Sequence, residues 1–292
     1  MGLQRGQRGK REIKNIEKNK KRTLIFIPAY NHKKTIIPTI KRIPESIFQE
    51  ASEILVADDA SQDNTTEIVK KYIADNKKNK KDKNLKKLKV IKHEKNKGYG
   101  GNQKWAYQYA IANDFDIVVM LHGDSQYAPE KLPDLIEPIK NGKADFVFGS
   151  RMTGKPLAGG MPLYKFLGNK FLTFLENIVL KTKLSEFHSG YRAYSLSALR
   201  EIPFHLNSSD FHFDSEIIAQ LILAKKKISE TPIPTFYGKE KSNVNSIRYG
   251  ISILGMIVYY ILHKTGIKKY YKFDLSNSYN NSLDAVHKSL GK

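Results

Sequence analysis

Short apolar runs alternate along this chain with longer segments in which apolar residues recur every three or four positions. The short runs read as strands: Thr23–Pro28, Glu53–Ala57, Leu88–Ile91, Asp116–Leu121, Phe146–Phe148 and Ile228–Pro232, with Ser189–Tyr194 as a further strand. The periodic segments read as helices over residues 34–43, Thr66–Asp75, Asn102–Asn113, Pro129–Lys140, Leu163–Leu180 and Asp214–Lys225. Strand–helix alternation of this kind predicts an α/β fold, with a mostly parallel central sheet and helices on both faces. The apolar stretch Ile251–Leu262 adds a C-terminal amphipathic helical appendage. The expected organisation is a basic disordered tail over 1–21 and one α/β domain over 22–240. A mobile loop with the amphipathic helix follows over 241–272, then a polar tail over 273–292.

Two apolar runs stop at carboxylates. Asp116–Leu121 leads through His122-Gly123 to Asp124-Ser-Gln126, and Ile54–Ala57 leads to Asp58-Asp59. A buried strand that ends in an acid sets that acid at the edge of the sheet, where open α/β folds bind ligands. Hard oxygen ligands there suit Mn2+ or Mg2+ on a diphosphate. The turn Ser61-Gln-Asp63-Asn-Thr65 offers helix N-caps, so Asp58 and Asp59 can serve a cap, a ligand or both. The Gly-rich Asn96-Lys-Gly98-Tyr-Gly-Gly101 precedes a helix, where backbone N–H groups can face a phosphate. No Gly-Lys-Ser/Thr follows it, so it does not fit the phosphate loop of nucleoside triphosphatases.

Composition narrows the chemistry. The 292 residues contain no Cys, which excludes disulfides, thiolate zinc and a Cys nucleophile. The formal charge is +21, concentrated in residues 1–22 and 70–95. Such charge attracts anionic lipid or nucleic acid. The aromatics do not interleave with the basic runs, so nucleic acid is not the expected partner. No run reaches the roughly 18–20 apolar residues of a membrane span. The dozen-residue run at 251–262, flanked by Arg248, His263-Lys264 and later lysines, reads as a helix lying on a membrane surface. The N-terminus has basic residues without an apolar core behind them, unlike a secretory signal. These features together place the chain in the cytoplasm, peripheral on the cytoplasmic face of a membrane.

Five segments in order resemble the family 2 glycosyltransferases of the GT-A fold: Ile27-Pro28-Ala29-Tyr30-Asn31, Val56–Thr65, Asn96–Gly101, His122–Gln126 and Gly149-Ser-Arg151. The match runs over about residues 22–240 and is most similar to the branch that makes polyprenyl-phosphate sugars, as dolichol-phosphate mannose synthase does. The resemblance implies an inverting, metal-dependent transfer from a nucleotide-sugar (UDP- or GDP-linked) to a polyprenyl phosphate, or else to a hydroxyl of a glycan or glycolipid. A membrane protein partner is also compatible with it. It implies that Pro28, Ala29, Tyr30, Asn31, Asp58, Asp59, Ser61, Asp63, Gly98, Gly101, Asn102, His122 and Gly123 meet the nucleotide-sugar. Asp124 and Gln126 would hold the metal. Arg151, Lys165, Asn169, Ser189 and Arg192 would meet the acceptor, and Asp214 would be the base if the acceptor is a hydroxyl, with Glu216 as the other acid in that segment. His32 stands where a Glu is usual, His122 where an acid is usual, and Lys165 where an Arg is usual. Glu186 or His188 occupies the place of a further family acid. Lys239-Glu-Lys241-Ser242 is similar to the loop that closes on the donor.

Overall fold

The computed structural model describes residues 21–79, 83–235 and 244–283. A seven-stranded sheet runs β3-β2-β1-β4-β6-β5-β7. Its strands are β1 (Thr23–Ala29), β2 (Glu53–Asp58), β3 (Leu88–Lys92), β4 (Ile117–Met120), β5 (Phe146–Ser150), β6 (Arg192–Ser195) and β7 (Ile228–Pro232). β1 pairs in parallel with β2 and β4, β2 with β3, and β5 with β7; β6 alone runs antiparallel, between β4 and β5. The helices are α1 (Ile36–Lys41), α2 (Glu45–Glu50), α3 (Thr65–Asn79), α4 (Tyr99–Ala112), α5 (Leu132–Lys140), α6 (Leu163–Leu180), α7 (Leu196–Arg200), α8 (Phe213–Leu223) and α9 (Ser246–Lys264). The mostly parallel sheet with helices on both faces is therefore as expected. Helices α2 and α7 were not legible in the apolar pattern, because each is barely one turn long and lacks a full period.

Alternation along β1 assigns each face its core. Leu24 and Phe26 join Leu55, Met120, Tyr107 and the α8 residues on one side. Ile25 and Ile27 join Val56, Val119, Ile40 and Leu135 on the other. Successive side chains point to opposite faces, so a strand covered on both reads as a continuous apolar run. The chain leaves β1 toward β2 on one side and returns on the other as β4. That reversal opens a crevice at the carboxyl ends of β1 and β4, the place where such sheets receive ligands. The turns after β1, β2 and β4 meet there.

The C-terminal helix is more than an appendage. Helix α9 spans 19 residues, capped by Asn245, whose side chain accepts from the N–H groups of Ile247 and Arg248. Its Ile253, Met256, Ile257 and Tyr260 belong to the core cluster on the α4–α8 side. It is also longer than the apolar run predicts. Among the described residues it is the one helix long and apolar enough to cross a membrane. Its Ser, Gly and Tyr positions interrupt an apolar count without ending the helix. The basic tail, the Lys239–Ser242 loop and residues 284–292 lie outside the described residues.

Where α6, α8 and α9 meet, the fold buries a titratable pair. Glu176 of α6 is fully buried, with His188 Nε2 at 3.3 Å and Tyr249 of α9 donating to or accepting from His188 Nδ1 at 2.7 Å. The separation alone would suggest an ion pair, but burial penalises both charged forms. It pushes the Glu176 carboxyl up to about 8 and the His188 imidazole down to about 3, so the pair is neutral at pH 7. The linkage signs follow. Glu176 holds its proton more tightly when folded, so its contribution is full below about 4.5 and is lost as pH rises through 8. His188 contributes above 6.5, and that contribution is lost as pH falls toward 3. The two slopes oppose each other below 6.5, leaving Glu176 alone to act between 6.5 and 8. Wild type is expected to lose about 1–2 kcal/mol of stability across that window relative to Glu176→Gln, whose profile is flatter there. Urea unfolding at pH 6.5 and 8 measures the difference.

Candidate active site

The turns after β1 and β2 are laced together. Asn31, at φ +58°, donates its N–H to Ser61 Oγ at 2.8 Å. Its side-chain oxygen accepts from the N–H groups of Gln62 (2.9 Å) and Asp63 (3.4 Å). The N–H of His32 bonds Thr65 Oγ1 and that of Lys33 bonds Asp63 Oδ2. Asn and Asp tolerate such turns because their short side chains bond nearby backbone. The lacing fixes Tyr30, which remains 37% exposed, over the carboxyl ends of β1 and β2.

The two acids after β2 differ. Asp58 is fully buried; its Oδ1 accepts from Ser61 N at 2.8 Å and its Oδ2 from the Thr66 hydroxyl. It is a turn and cap residue for α3. Asp59 is also buried, and burial raises its pKa although the Lys97 N–H bonds its Oδ1 at 2.8 Å.

The Gly-rich turn serves a different purpose from a phosphate cradle. Gly100 N and Gly101 N donate to the carbonyl of Ser209, at 2.9 and 3.4 Å. A Cβ on Gly98, at φ +77°, would stand 2.6 Å from the same oxygen, and one on Gly100 would stand 2.5 Å from Ser208 O. These glycines admit the 208–210 backbone. Asn102, expected beside the nucleotide, is buried. It bonds Ala57 O at 3.1 Å and lies 3.0 Å from His93 Nε2, tying α4 to the ends of β2 and β3.

At the end of β4, Asp124 is half-buried. Its Oδ1 accepts from Gln126 N at 3.0 Å across Ser125, which sits at φ +62°. Its second oxygen and the Gln126 amide make no hydrogen bond among the described residues. Gly123 packs within reach of Pro28 O, holding this turn against the end of β1. His122 lies between the rings of Tyr99 and Tyr127, at 5.8 and 5.0 Å. Burial lowers its pKa, against the pull of Asp124 and Asp214, so it is neutral. A Cβ on Gly190 would stand 2.2 Å from its Nε2, so only glycine fits there. Neither Tyr127 nor Gln103 was foreseen; neither lies in a segment that carries the resemblance, and each also has a partner far off in sequence, Gly190 for Tyr127 and Asp214 for Gln103.

Beyond His122 lie the residues expected at the acceptor. Arg151 bonds Glu186 through Nε (3.0 Å) and Nη2, and His188 O at 3.1 Å. Asn169 of α6 donates to the same carboxylate at 3.1 Å. Burial alone would raise Glu186, but the charge and bonds of Arg151 hold it below the usual carboxylate range. Glu186 rather than His188 is thus the acid of this segment. Lys165 stands nearby, its pKa lowered by burial and then by the Arg151 charge. Ser189 and Arg192, expected at the acceptor, are both fully buried. Arg192 donates to the carbonyls of Phe187, Ser189 and Asp214 as an internal strut. Asp214 is nearly buried. It accepts from Tyr99 Oη at 2.9 Å and Gln103 Nε2 at 3.2 Å, with Arg192 Nη2 at 3.4 Å. Glu216 is likewise buried and paired with Lys272. The cavity enclosed beside Phe211 and α9, roughly 100 Å³, is too small for a nucleotide.

An open carboxylate, a laced pair of turns and a cationic cluster beyond them stand at a topological switch point, where open α/β sheets receive ligands. Residues 24–203 match the family model for glycosyl transferase family 2, and the chain belongs to that family. It is a glycosyltransferase that uses a nucleoside-diphosphate sugar. The UDP-N-acetylglucosamine–dolichyl-phosphate N-acetylglucosaminyltransferase of Methanococcus voltae is 35% identical over 219 residues, 73% of this chain and 85% of that relative. The undecaprenyl-phosphate mannosyltransferase of Micrococcus luteus is 27% identical, over 75% of this chain and 85% of that one. Among solved structures, glucosyl-3-phosphoglycerate synthase from Mycobacterium tuberculosis, in complex with Mn2+, UDP-glucose and glycerol 3-phosphate, superposes with a TM-score of 0.58. That match covers 84% of this chain and 80% of the other at 17% identity, and it shows the shared GT-A fold.

The contrast between the two strand-end acids is testable. Asp58→Ala leaves a buried N–H and hydroxyl without acceptors and is expected to cost about 2–3 kcal/mol in urea unfolding. Asp124→Ala is expected to cost less than about 1 kcal/mol, since its side chain is half-exposed. Yet it should lower sugar transfer at least about 100-fold.

Proposed function

We propose that the protein transfers a sugar from a nucleoside-diphosphate sugar to a polyprenyl phosphate, at the cytoplasmic face of a membrane. One observation carries this choice of acceptor. The acids placed to act as a base are already engaged: Asp214 by Tyr99, Gln103 and Arg192, and Glu186 by Arg151 and Asn169. A hydroxyl acceptor needs a base within hydrogen-bond reach. A phosphate monoester arrives as an anion and needs none. The cluster of Arg151, Lys165 and Asn169 suits such an anion. The relatives from Methanococcus and Micrococcus, whose names specify dolichyl and undecaprenyl phosphate, support the same reading.

The donor's base would stack along Tyr30, with Asp59 and the Asn31–Ser61 turn beside it. Asp124 and Gln126 would hold a divalent ion through hard oxygen donors, Asp124 Oδ1 being already fixed by the Gln126 N–H at 3.0 Å. The diphosphate would complete such a shell. Mn2+ accompanies UDP-glucose in the Mycobacterium structure, which supports that ion over Mg2+. When bound, the ion would offset the charge that grows on the departing diphosphate. In the transfer, an oxygen of the acceptor phosphate forms a bond to the anomeric carbon. The bond from that carbon to the diphosphate breaks, and the nucleoside diphosphate leaves with the electron pair. Attack from the face opposite the leaving group inverts the anomeric centre. Arg151 and Lys165 hold the acceptor in line, which supplies orientation rather than proton transfer.

With UDP- and GDP-sugars offered alongside Mn2+, a prenyl phosphate is expected to be glycosylated and the matching prenyl alcohol left unchanged. The rate should rise with ionisation of the acceptor near pH 6 and stay flat above it, with no second limb from a protein base. Arg151→Met should raise the acceptor KM about 10-fold or more while donor binding is kept. Transfer to the alcohol with an inert phosphate would overturn the reading.

A further inference from the structure

Helices α6 and α9 pack side by side, and each turns an apolar stripe away from the core. On α6, Leu163, Leu167, Phe171, Phe174 and Ile178 follow one another at three- or four-residue steps and are 57–61% exposed. On α9, Ile251, Leu254 and Val258 do the same at 42–65%. Scattered exposed apolar residues are ordinary on any surface; two aligned stripes on adjacent helices form a patch of the kind that marks an interaction site. The α6 stripe was hidden in the sequence, because an amphipathic helix with its apolar face outward has the same period as one with it inward.

Charge identifies the occupant. From residue 152 to 185 the sole acid is Glu176, which is buried, and from 244 to 273 there is none. Around the same patch stand exposed Lys155, Lys170, Lys181, Lys264, Lys268 and Lys269. An apolar face rimmed by cations, whose half-exposed Asp210 carboxylate is already paired with Arg248 at 3.4 Å, is complementary to an anionic bilayer surface. A second copy of this chain seated on the same face would set these lysines against one another, because residues 152–185 and 244–273 offer no exposed acid to pair with them. We infer that the joined outer faces of α6 and α9 form a monotopic docking surface for anionic lipid, with both helices lying in the plane of the headgroups.

Spanning is excluded by packing rather than by length. At 1.5 Å per residue the 19 residues of α9 reach about 28 Å, enough for the hydrocarbon core. Its inner side, however, is fixed in the protein core through Ile253, Met256 and Tyr260. A transverse pose would pull that side out. An in-plane pose keeps it and immerses only the outer stripe. It also places the first turns of α6, which carry Lys165 and Asn169, at headgroup depth, where a lipid phosphate lies. That last consequence rests on the lipid-phosphate reading; the docking itself does not.

The test is co-sedimentation of the full chain with vesicles that contain no prenyl lipid. Wild type is expected to pellet with phosphatidylcholine vesicles holding 30 mol% phosphatidylglycerol, and at least about 10-fold more weakly with phosphatidylcholine alone. Phe171→Glu combined with Ile251→Glu should reduce binding to the anionic vesicles at least about 10-fold. Both side chains are exposed, so the melting temperature and its rise with UDP and Mn2+ should be kept. Lys170→Glu with Lys268→Glu should weaken binding and flatten its salt dependence. Wild type that stays in the supernatant, or a double Glu variant that pellets like wild type, overturns the inference. So does a wild-type dimer by light scattering that the double Glu substitution dissociates while leaving vesicle binding unchanged. Sugar transfer separates the two proposals. A protein that docks but glycosylates no prenyl phosphate refutes only the acceptor. One that glycosylates it in detergent without docking refutes only the surface.

Discussion

One buried cation organises the floor of the site. Arg192 has no exposed surface, and a guanidinium so placed is tolerable only if its donors are met by acceptors. It meets the carbonyls of Phe187, Ser189 and Asp214 and faces the Asp214 carboxylate. Those bonds bind the loop before β6 to the start of α8. Asp214 extends the network to Tyr99 and Gln103 of α4. Three elements that are remote in sequence are thereby held in one arrangement, with Tyr99 against His122 and Gly190 closed over the imidazole. Removing either charge would leave the other buried and unpaired, which costs far more than the pair itself contributes. The network therefore fixes geometry.

The crevice wall works by the opposite rule. Asp58 and Asp124 both follow an apolar strand, yet one is closed and the other open. Asp58 precedes a turn whose Ser61 and Thr66 donate to it, so its oxygens are consumed within eight residues of chain. Asp124 precedes Ser125, whose left-handed backbone directs just the Gln126 N–H onto one oxygen. The remaining lone pairs face the crevice at the switch point. A carboxylate that is held but not neutralised is what a metal–diphosphate site requires.

The sheet and most helices were legible because burial on both faces makes parallel strands continuous apolar runs; α6 and β7 were read to the residue. The site was legible only in outline. Asp124, Gln126, Arg151 and Lys165 lie at strand ends or at a helix start, and position alone brings them to the crevice. Asn102, Ser189 and Arg192 have equally polar side chains, and no local pattern distinguishes a residue that faces the crevice from one that faces a neighbouring loop. The deciding partners are distant: Gln103 and Asp214 are 111 residues apart, Tyr99 and Asp214 are 115. Gly98 and Gly100 were legible as special backbone, but their use became clear only when the 208–210 segment came within van der Waals distance.

The two halves of the molecule obey one electrostatic logic. With the proposed anionic acceptor no base is needed, and the acids near the crevice can be committed to holding structure. Those commitments leave Arg151 partly neutralised by Glu186, which keeps it from binding every anion with full strength. Lys165 and Asn169 then decide what is held, and both stand on α6, the helix whose outer stripe is apolar. A soluble phosphate could satisfy the cations but would gain nothing from that stripe. A phosphate on a long hydrocarbon satisfies both, because its chain can remain beside the apolar face while its headgroup reaches Arg151. On the proposed acceptor, selectivity for a lipid phosphate over a free one would follow from Lys165 and Asn169 standing on α6 near Arg151, with no dedicated hydrocarbon pocket required.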